Sequence, residues 1–357
     1  MFNQKIEGAA MADTATLQRT TPRVDFDQFP RTRLCHQPTP IEAMPRLTEL
    51  LGGPRLFIKR DDCTGLATGG NKTRKLEFLV GEALQEKADM LVTQGAVQSN
   101  HVRQTAAAAC KVGMKCHVLL ERRVPDRDAA YEETGNVLLD NIFGATHEFR
   151  PAGLDMNAEA MEVTEALRAK GHRPYFIPGG GSNPTGALGY ANCAQEIRDH
   201  SADSGQDFDW LVMSTGSTGT HAGLVAGFEA IGHNLPVMGV SVRQPRERQM
   251  AAVHGLTQKT LEKLGKEGVP LSRILVDDGY VGEGYGIPAE STLEAIRLTA
   301  QQEGVLLDPV YSAKGMAGLI GMVRQGFFKP TDNVLFLHTG GATALFAYQD
   351  QLIASLK

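Results

Sequence analysis

The sequence predicts an α/β protein of parallel sheets covered by helices on both faces, with a small domain inserted in a larger one. Short apolar bursts alternate with helical patterns along nearly the whole chain. Two Gly-rich segments, Gly69-Gly70 and Pro178–Pro184, punctuate that alternation. A length of 357 residues also exceeds what one ordinary hydrophobic core holds.

Strands are predicted at Leu56–Lys59, Met90–Thr93, Cys116–Leu120, Pro174–Ile177, Trp210–Met213, Val237–Val242, Ile274–Val276 and Val334–Leu337. Each is short, often β-branched, and bounded by Gly, Pro or polar residues. Helices are predicted between them at Arg74–Glu86, His101–Val112, Asn157–Lys170, Ala187–Ile197, Thr220–Ile231, Pro288–Glu303 and Ala313–Gln325. Strands separated by helices pair in parallel through right-handed crossovers. The segment between the Gly-rich punctuations carries enough alternations for a sheet of its own. The expected organisation is a flexible leader over residues 1–22, a large domain from 23–74 and 183–357, and a small domain from 75–182. The cleft between the domains is the expected ligand site.

Composition narrows the function. A net charge of −5 and the lack of any Lys/Arg-rich block argue against nucleic acid as the partner. The cysteines Cys35, Cys63, Cys110, Cys116 and Cys193 form no CxxC pair. They read as reduced thiols of a cytoplasmic protein, with Cys63 and Cys110 as core filler. No apolar run approaches the ~20 residues of a membrane span, and the opening residues lack the apolar centre of a secretory signal. No His/Cys/carboxylate spacing calls for a metal.

Thr68-Gly69-Gly70-Asn71-Lys72-Thr73-Arg74-Lys75-Leu76-Glu77 is the most informative stretch. The glycine pair permits positive φ and close approach to the main chain. Lys72 then enters the first turn of a helix, where the dipole and Arg74 and Lys75 disfavour an ammonium. An amine that sheds its proton easily attacks aldehydes, as a Schiff-base enzyme requires. The alternative is a basic helix start after a plain turn.

Ser214-Thr215-Gly216-Ser217-Thr218-Gly219-Thr220 links an apolar strand to a helix start. Inward N–H groups, hydroxyls and the helix dipole suit one phosphate monoester. The lysine of a P-loop and the G-x-G-x-x-G spacing of a dinucleotide fold are both missing. A capped Ser/Thr turn without a ligand is the alternative. Gln94–His101 places amide and hydroxyl donors before another helix and suits a carboxylate, unless Asn100 serves only as an N-cap. Thr339 ends an apolar strand, where ligands of open α/β sheets gather. Tyr311 stands just before a helix.

Taken together, GGNKTRKLEFL, QSNHVRQTAAAA, GSNPTGALGY, STGSTGTHAGL, GEGYGIP, DPVYSAKGMAGL and FLHTGGATALFAY resemble the D-cysteine desulfhydrase and 1-aminocyclopropane-1-carboxylate deaminase family, from about Phe29 to Tyr348. Within that family the motifs look most like the L-cysteate sulfo-lyase branch. The resemblance implies the tryptophan synthase β-like fold type II, with two open twisted parallel sheets and pyridoxal 5′-phosphate in the cleft. It also implies a homodimer. Lys72 would bond the cofactor's aldehyde and move the substrate's α-proton. Asn100 would bond the ring hydroxyl. Thr215, Gly216, Ser217, Thr218, Gly219 and Thr220 would cradle the phosphate, and Thr339 would face the pyridine nitrogen. Ser99, with the backbone at Asn100 and His101, would hold the substrate carboxylate, and some members use the position of Ser99 as an acid/base. Tyr285 and Tyr311 would act beside the substrate.

Ser312 departs from the family's ring-opening deaminases, which carry glutamate after the matching tyrosine. A neutral environment makes the cofactor ring a weaker electron sink and favours prompt β-elimination over ring opening. The implied reaction converts L-cysteate to pyruvate, sulfite and ammonia, with His101, Ser312, Thr339 and Tyr285 as the groups that face the sulfonate. Three alternatives remain open: desulfhydration of D-cysteine, deamination of 1-aminocyclopropane-1-carboxylate, and binding of the cofactor or another phosphate without catalysis.

Overall fold

The computed structural model describes residues 22–356, so the leader read over residues 1–22 lies outside it except for Pro22. The strands are β1 (Ile41–Ala43), β2 (Arg55–Arg60), β3 (Met90–Ala96), β4 (Lys115–Arg122), β5 (Thr146–Pro151), β6 (Pro174–Ile177), β7 (Trp210–Thr215), β8 (Val237–Ser241), β9 (Leu275–Asp277) and β10 (Asn333–His338). They form a six-stranded sheet in the order β1-β2-β10-β7-β8-β9 and a four-stranded sheet in the order β5-β4-β3-β6. Every pairing is parallel except β1 with β2.

The helices are α1 (Pro45–Leu51), α2 (Lys72–Gln85), α3 (Asn100–Lys111), α4 (Gly135–Ile142), α5 (Met156–Ala169), α6 (Pro184–Ser204), α7 (Gly219–Ala230), α8 (Arg246–Lys263), α9 (Glu290–Glu303), α10 (Ser312–Arg324) and α11 (Gln349–Leu356). They cover both faces of the large sheet. Along β10, Leu335 and Leu337 enter one core with Leu188 and Phe228, while Val334 and Phe336 enter another with Met316 and Ile320. A strand buried on both sides has no polar face, which is why it reads as a continuous apolar run. The small sheet shares a third core with α2 and α3 through Leu76, Leu79, Val102, Val118 and Leu120.

β5 and α8 were not expected. β5 is an edge strand of sequence THEFRP with no buried residue, so it lacks apolar alternation. α8 buries Gln249, Thr257 and Thr260 beside Val253, Leu256 and Leu261, and a half-polar inner face weakens the helical signal. The thiols also differ from expectation. Cys63 and Cys110 are exposed, and only Cys116 and Cys193 are buried.

A buried ionic cluster fixes the start of α2. Arg74 is fully buried and donates to Asp61 at 2.8 Å and to Glu196 at 2.8 Å. Tyr190 Oη donates to the same Asp61 at 2.6 Å. Asp62, by contrast, pairs with Arg60 at 2.8 Å. Adjacent in sequence, the two aspartates look like partners of Arg60 and Lys59, yet Asp61 serves the helix that carries Lys72. Arg74, Asp61 and Glu196 satisfy one another, and removing one would strand the others in a dry interior.

Candidate active site

The chain enters α2 through consecutive positive φ values: Ala67 at 48°, Thr68 at 66°, Gly69 at 73° and Gly70 at 130°. A Cβ on Gly69 would stand 1.8 Å from the carbonyl oxygen of Asp62. Thr64 Oγ1 accepts from Gly70 N, Arg103 Nη2 donates to the Gly69 carbonyl, and Thr339 O accepts from Asn71 N. The turn is thereby locked, and it delivers Lys72 into the cleft.

Lys72 Nζ donates to Asn71 Oδ1 at 3.1 Å, and Asn71 Nδ2 donates to Thr220 Oγ1 at 3.0 Å. Burial pushes the Lys72 ammonium down to about 8; Asp308 opposes the shift and Arg103 adds to it. A readily deprotonated amine thus stands one asparagine away from the helix start that was read as a phosphate site. Asn71 escaped the sequence reading because an asparagine before a helix reads as a cap, whereas its side chain caps nothing.

Between β7 and α7, Thr215, Gly216, Ser217, Thr218 and Thr220 line the cleft. Thr218 holds φ at 74°, a strained value for a β-branched residue that costs about 1–3 kcal/mol. Such strain persists where the surrounding structure fixes a turn for use. Gln249 Nε2 donates to Thr215 Oγ1 and pins the turn from α8. Opposite lies Lys75, buried, its Nζ donating to the Gly180 carbonyl at 3.1 Å. A Cβ on Gly219 would come 2.9 Å from that Nζ and 2.8 Å from Ser182 Oγ. Burial, with Lys72 nearby, drives the Lys75 ammonium well below its usual range, and an anion in the turn would relieve it. Lys75 had been noted only as a neighbour of Lys72.

Ser99, rather than Asn100, caps α3 by accepting from Val102 N at 3.3 Å. Ser99, Asn100 and His101 all line the cleft. Asn100 Oδ1 accepts from Arg103 and Asn136, and Asn100 Nδ2 donates to Asp308 at 3.1 Å. One amide hydrogen of Asn100 therefore remains free for a ligand oxygen. His101 Nε2 is engaged by Thr93 Oγ1, and burial pushes the imidazole well down, leaving it neutral.

Tyr311 and Thr339 line the cleft, whereas Tyr285 and Ser312 do not. The Tyr285 and Tyr311 hydroxyls meet at 2.5 Å, so Tyr285 stands behind Tyr311. Ser312 does not face a substrate, because its Oγ donates to Asp308 Oδ1 and accepts from Asp308 N. Ser312 was expected to contact substrate; its hydroxyl is spent on holding Asp308. Arg123 and Arg243 reach the cleft as well, and neither was singled out from the sequence, because each sits in an ordinary charged loop.

Two parallel sheets with a lysine, a strained anion turn and unspent donors in one cleft define a site for a phosphate-bearing aldehyde. The comparisons agree with that class. Residues 32–340 match the family model for pyridoxal-phosphate dependent enzymes. The chain is 46% identical over 325 residues to D-cysteine desulfhydrase of Serratia proteamaculans, covering 91% of this chain and 98% of the relative. It is 46% identical over 328 residues to the D-cysteine desulfhydrase of Klebsiella pneumoniae, covering 92% and 99%. A solved structure of an ACC deaminase homologue superposes with a TM-score of 0.83 at 35% identity, covering 92% of this chain and 97% of that one. This chain belongs to the pyridoxal-phosphate dependent enzymes and has their fold-type II architecture.

The residues present fit pyridoxal phosphate. The cradle at Gly219 would be filled by a Cβ, and Lys75 Nζ lies against it. Among the described residues no cluster of His, Cys, Asp or Glu suits a metal ion, and no helix is long and apolar enough to cross a membrane.

Proposed function

We propose that this pyridoxal-phosphate dependent carbon–sulfur lyase eliminates the β-substituent of a small amino acid, with L-cysteate as its substrate. The observation that carries the reading is the charge of the cleft: Arg123 and Arg243 line it, and among the described residues no aspartate or glutamate does. L-Cysteate brings two permanent anions, a carboxylate and a sulfonate, and a cleft lined by one sign of charge concentrates such a ligand. D-Cysteine is the second reading, favoured by the 46%-identical relatives of that name.

The roles follow from position. Asn71 ties the Lys72 amine to α7, its Oδ1 accepting from Nζ and its Nδ2 donating to Thr220 Oγ1. Lys72 would bind the cofactor's aldehyde; Asn100 the ring hydroxyl; Thr339 the face of the pyridine nitrogen; and Thr215 to Thr220, with Lys75, the phosphate. The electron pair left at the substrate's α-carbon would be taken up by pyridoxal phosphate, which is the chemistry the cofactor supplies. Ser99 and the N–H groups opening α3 hold the substrate carboxylate at a helix N-terminus. Lys72 Nζ, free once substrate has entered, takes the α-proton. The Cβ–S bond then breaks with its electron pair on sulfur, so sulfite leaves. Water completes the balance, giving pyruvate and ammonia.

Two further readings accompany this one. The strands of the four-stranded sheet all fall within residues 90–177, which supports a small domain over 75–182 inside a large one of 23–74 and 183–357. The exposed apolar side chains Leu138, Ile142 and Phe346 support a homodimer, which light scattering would detect.

The test is a product assay with purified protein on L-cysteate, D-cysteine, L-cysteine and 1-aminocyclopropane-1-carboxylate. Pyruvate with sulfite from L-cysteate is expected. Sulfide from D-cysteine with no sulfite from L-cysteate reverses the substrate. Near-visible absorbance that borohydride bleaches, absent in Lys72→Ala, reports the cofactor linkage independently of turnover.

A further inference from the structure

The site already described holds one substrate anion at Ser99 and the start of α3, but it leaves two guanidinium groups of the cleft lining unassigned, one from each sheet. Arg123 follows the end of β4, and Arg243 follows the end of β8. Both stand at carboxyl ends of parallel strands, where open α/β sheets collect ligands. We propose that Arg123 and Arg243 form a second anion subsite that grips the sulfonate and selects for it. The proposal rests on the reading of L-cysteate as substrate.

Arg123 is built into place. Its Nε donates to Glu121 Oε2 at 2.8 Å, and Glu121 is itself buried, its Oε1 accepting from Gly153 N at 3.2 Å. The guanidinium lies over the Tyr285 ring at 4.9 Å from the centroid. Glu121 occupies the Nε and Nη2 edge, while Nη1 has no acceptor among the described residues. A planar group oriented on one edge and stacked on an aromatic face has little freedom left to lose on binding. Arg123 lines the cleft together with Tyr311.

Arg243 differs in kind. It is exposed at the mouth of the cleft, and no side-chain hydrogen bond or ion pair engages its guanidinium among the described residues. It is close enough to Tyr285 to favour that phenol's ionised form, against the larger effect of burial. Arg123 and Arg243 thus both act on Tyr285, and both line the cleft with Tyr311. A tetrahedral sulfonate offers three oxygens, enough for both guanidinium groups and the Tyr311 hydroxyl. A thiol offers neither charge nor acceptors for them. A substrate that leaves the Arg123 Nη1 hydrogens without an acceptor carries a desolvation cost, so the subsite also works against D-cysteine.

The sulfonate bonds persist as sulfite departs, because negative charge grows on the same oxygens. Arg123 thus contributes to binding and to leaving-group stabilisation, and Arg243 chiefly to capture.

The experiment uses the holoenzyme and ethanesulfonate, which has no amine and cannot react. Ethanesulfonate is expected to compete with L-cysteate. In Arg123→Gln its inhibition constant should rise at least about tenfold, the loss of one charge-assisted hydrogen bond of roughly 1.4 kcal/mol or more. In Arg243→Gln a smaller rise is expected. Turnover of β-chloroalanine, whose side chain carries no sulfonate, should fall less than turnover of L-cysteate in either variant, and the cofactor absorbance should persist. Arg123→Lys serves as the second variant and should keep part of the affinity. Equal inhibition in wild type and Arg123→Gln overturns the subsite, as does equal loss of activity on β-chloroalanine. Equal competition by propanoate overturns the preference for sulfonate. If L-cysteate yields no sulfite while ethanesulfonate still inhibits β-chloroalanine turnover through Arg123, the substrate reading fails and the anion subsite stands.

Discussion

Asp308 Oδ2 accepts from Asn100 Nδ2 at 3.1 Å, so a buried carboxylate before α10 holds the residue that opens α3. Its other oxygen accepts from Tyr311 N at 2.9 Å, Ser312 N at 2.6 Å and Ser312 Oγ at 2.9 Å. One side chain thus sets Asn100 and Tyr311 together. On the strength of Ser312, this region was expected to carry no negative charge. A carboxylate lies one turn earlier, in the shell behind the cleft and not on its wall.

Burial pushes Asp308 up to about 6, against the hydrogen bonds that favour its ionised form. It is therefore ionised, and able to accept from Asn100 without conflict, above that pH. Activity is expected to fall as pH drops through about 6. Asp308→Asn can present an amide hydrogen to Asn100 in place of an acceptor. The loss of a charge-assisted bond, about 1.5–3 kcal/mol, corresponds to roughly ten- to hundredfold in kcat. Measured kcat against pH should show the acid limb in wild type and none in the variant. A limb that survives at the same pH assigns it to another group.

Lys75 is expected to serve cofactor retention rather than turnover. Its amine lies at the Gly219 cradle proposed to hold the phosphate. Lys75→Met should weaken pyridoxal phosphate binding by about ten- to hundredfold, the worth of a charge-assisted bond of roughly 1.5–3 kcal/mol. kcat at saturating cofactor should remain within a few-fold of wild type. Equilibrium dialysis of the cofactor, read beside kcat, separates the two effects. Unchanged dialysis would place the phosphate elsewhere.

The fold was largely legible because its central strands are buried on both faces and bounded by Gly or Pro. NVLFLH in β10 and WLVMST in β7 could be little else. β5 and α8 were lost for the opposite reason, since one is a polar edge and the other buries amides and hydroxyls. In the site, Lys72 and the turn from Thr215 to Thr220 announced themselves through glycine and hydroxyl spacing. Asn71, Lys75, Asp308 and Arg123 did not. Each acts across the fold on groups far away in sequence, as Asp308 does on Asn100. Only assembled geometry distinguishes such residues from ordinary caps and surface charges. Ser312 misled for the same reason: its neighbour in sequence, Tyr311, lines the cleft, and the first turn of α10 carries Ser312 inward.

Gly219 offers a separation of stability from function. It is the first residue of α7, and its φ is not among the positive ones. Gly219→Ala adds helix propensity of up to about 1 kcal/mol, and a helix start gains less than an interior position. The added Cβ would press on Lys75 Nζ and Ser182 Oγ, both ends of adjustable side chains, and would stand 3.1 Å from the Ser182 Cα, which offsets the helix gain. Cofactor-free Gly219→Ala should melt close to wild type, while its retention of pyridoxal phosphate falls. Thermal melts with and without added cofactor check this. A variant that gains as much Tm from cofactor as wild type would show that the cradle has room to spare.

The loop that carries Tyr285 depends on a lysine from another element. Gly282, Gly284 and Gly286 have φ of 65°, 151° and 72°, so the backbone around Tyr285 has no regular ladder to hold it. Lys314 on α10 ties the first half of the loop, its Nζ donating to Val281 O at 2.6 Å and to Gly284 O at 2.7 Å, while Tyr348 Oη and Arg127 donate to Gly286 O. Burial pushes this ammonium down to about 8, so it is charged below that pH and neutral above it. Both bonds are charge-assisted in the lower range, and both weaken as the proton leaves. Lys314→Met removes them together and leaves two carbonyls without their donor. Tyr285 should then lose its fixed approach to Tyr311, and with it the stacking surface beneath Arg123. Hydrogen exchange over residues 279–286 should accelerate in the variant while β7 and β10 stay protected, because local opening is governed by the contacts a segment itself makes. In wild type the same segment should exchange faster above a pH of about 8 than the intrinsic pH dependence of exchange accounts for. Lys314→Met with unaltered exchange in this segment would mean that the tyrosine pair and the bonds to Gly286 O, not the lysine, hold the loop.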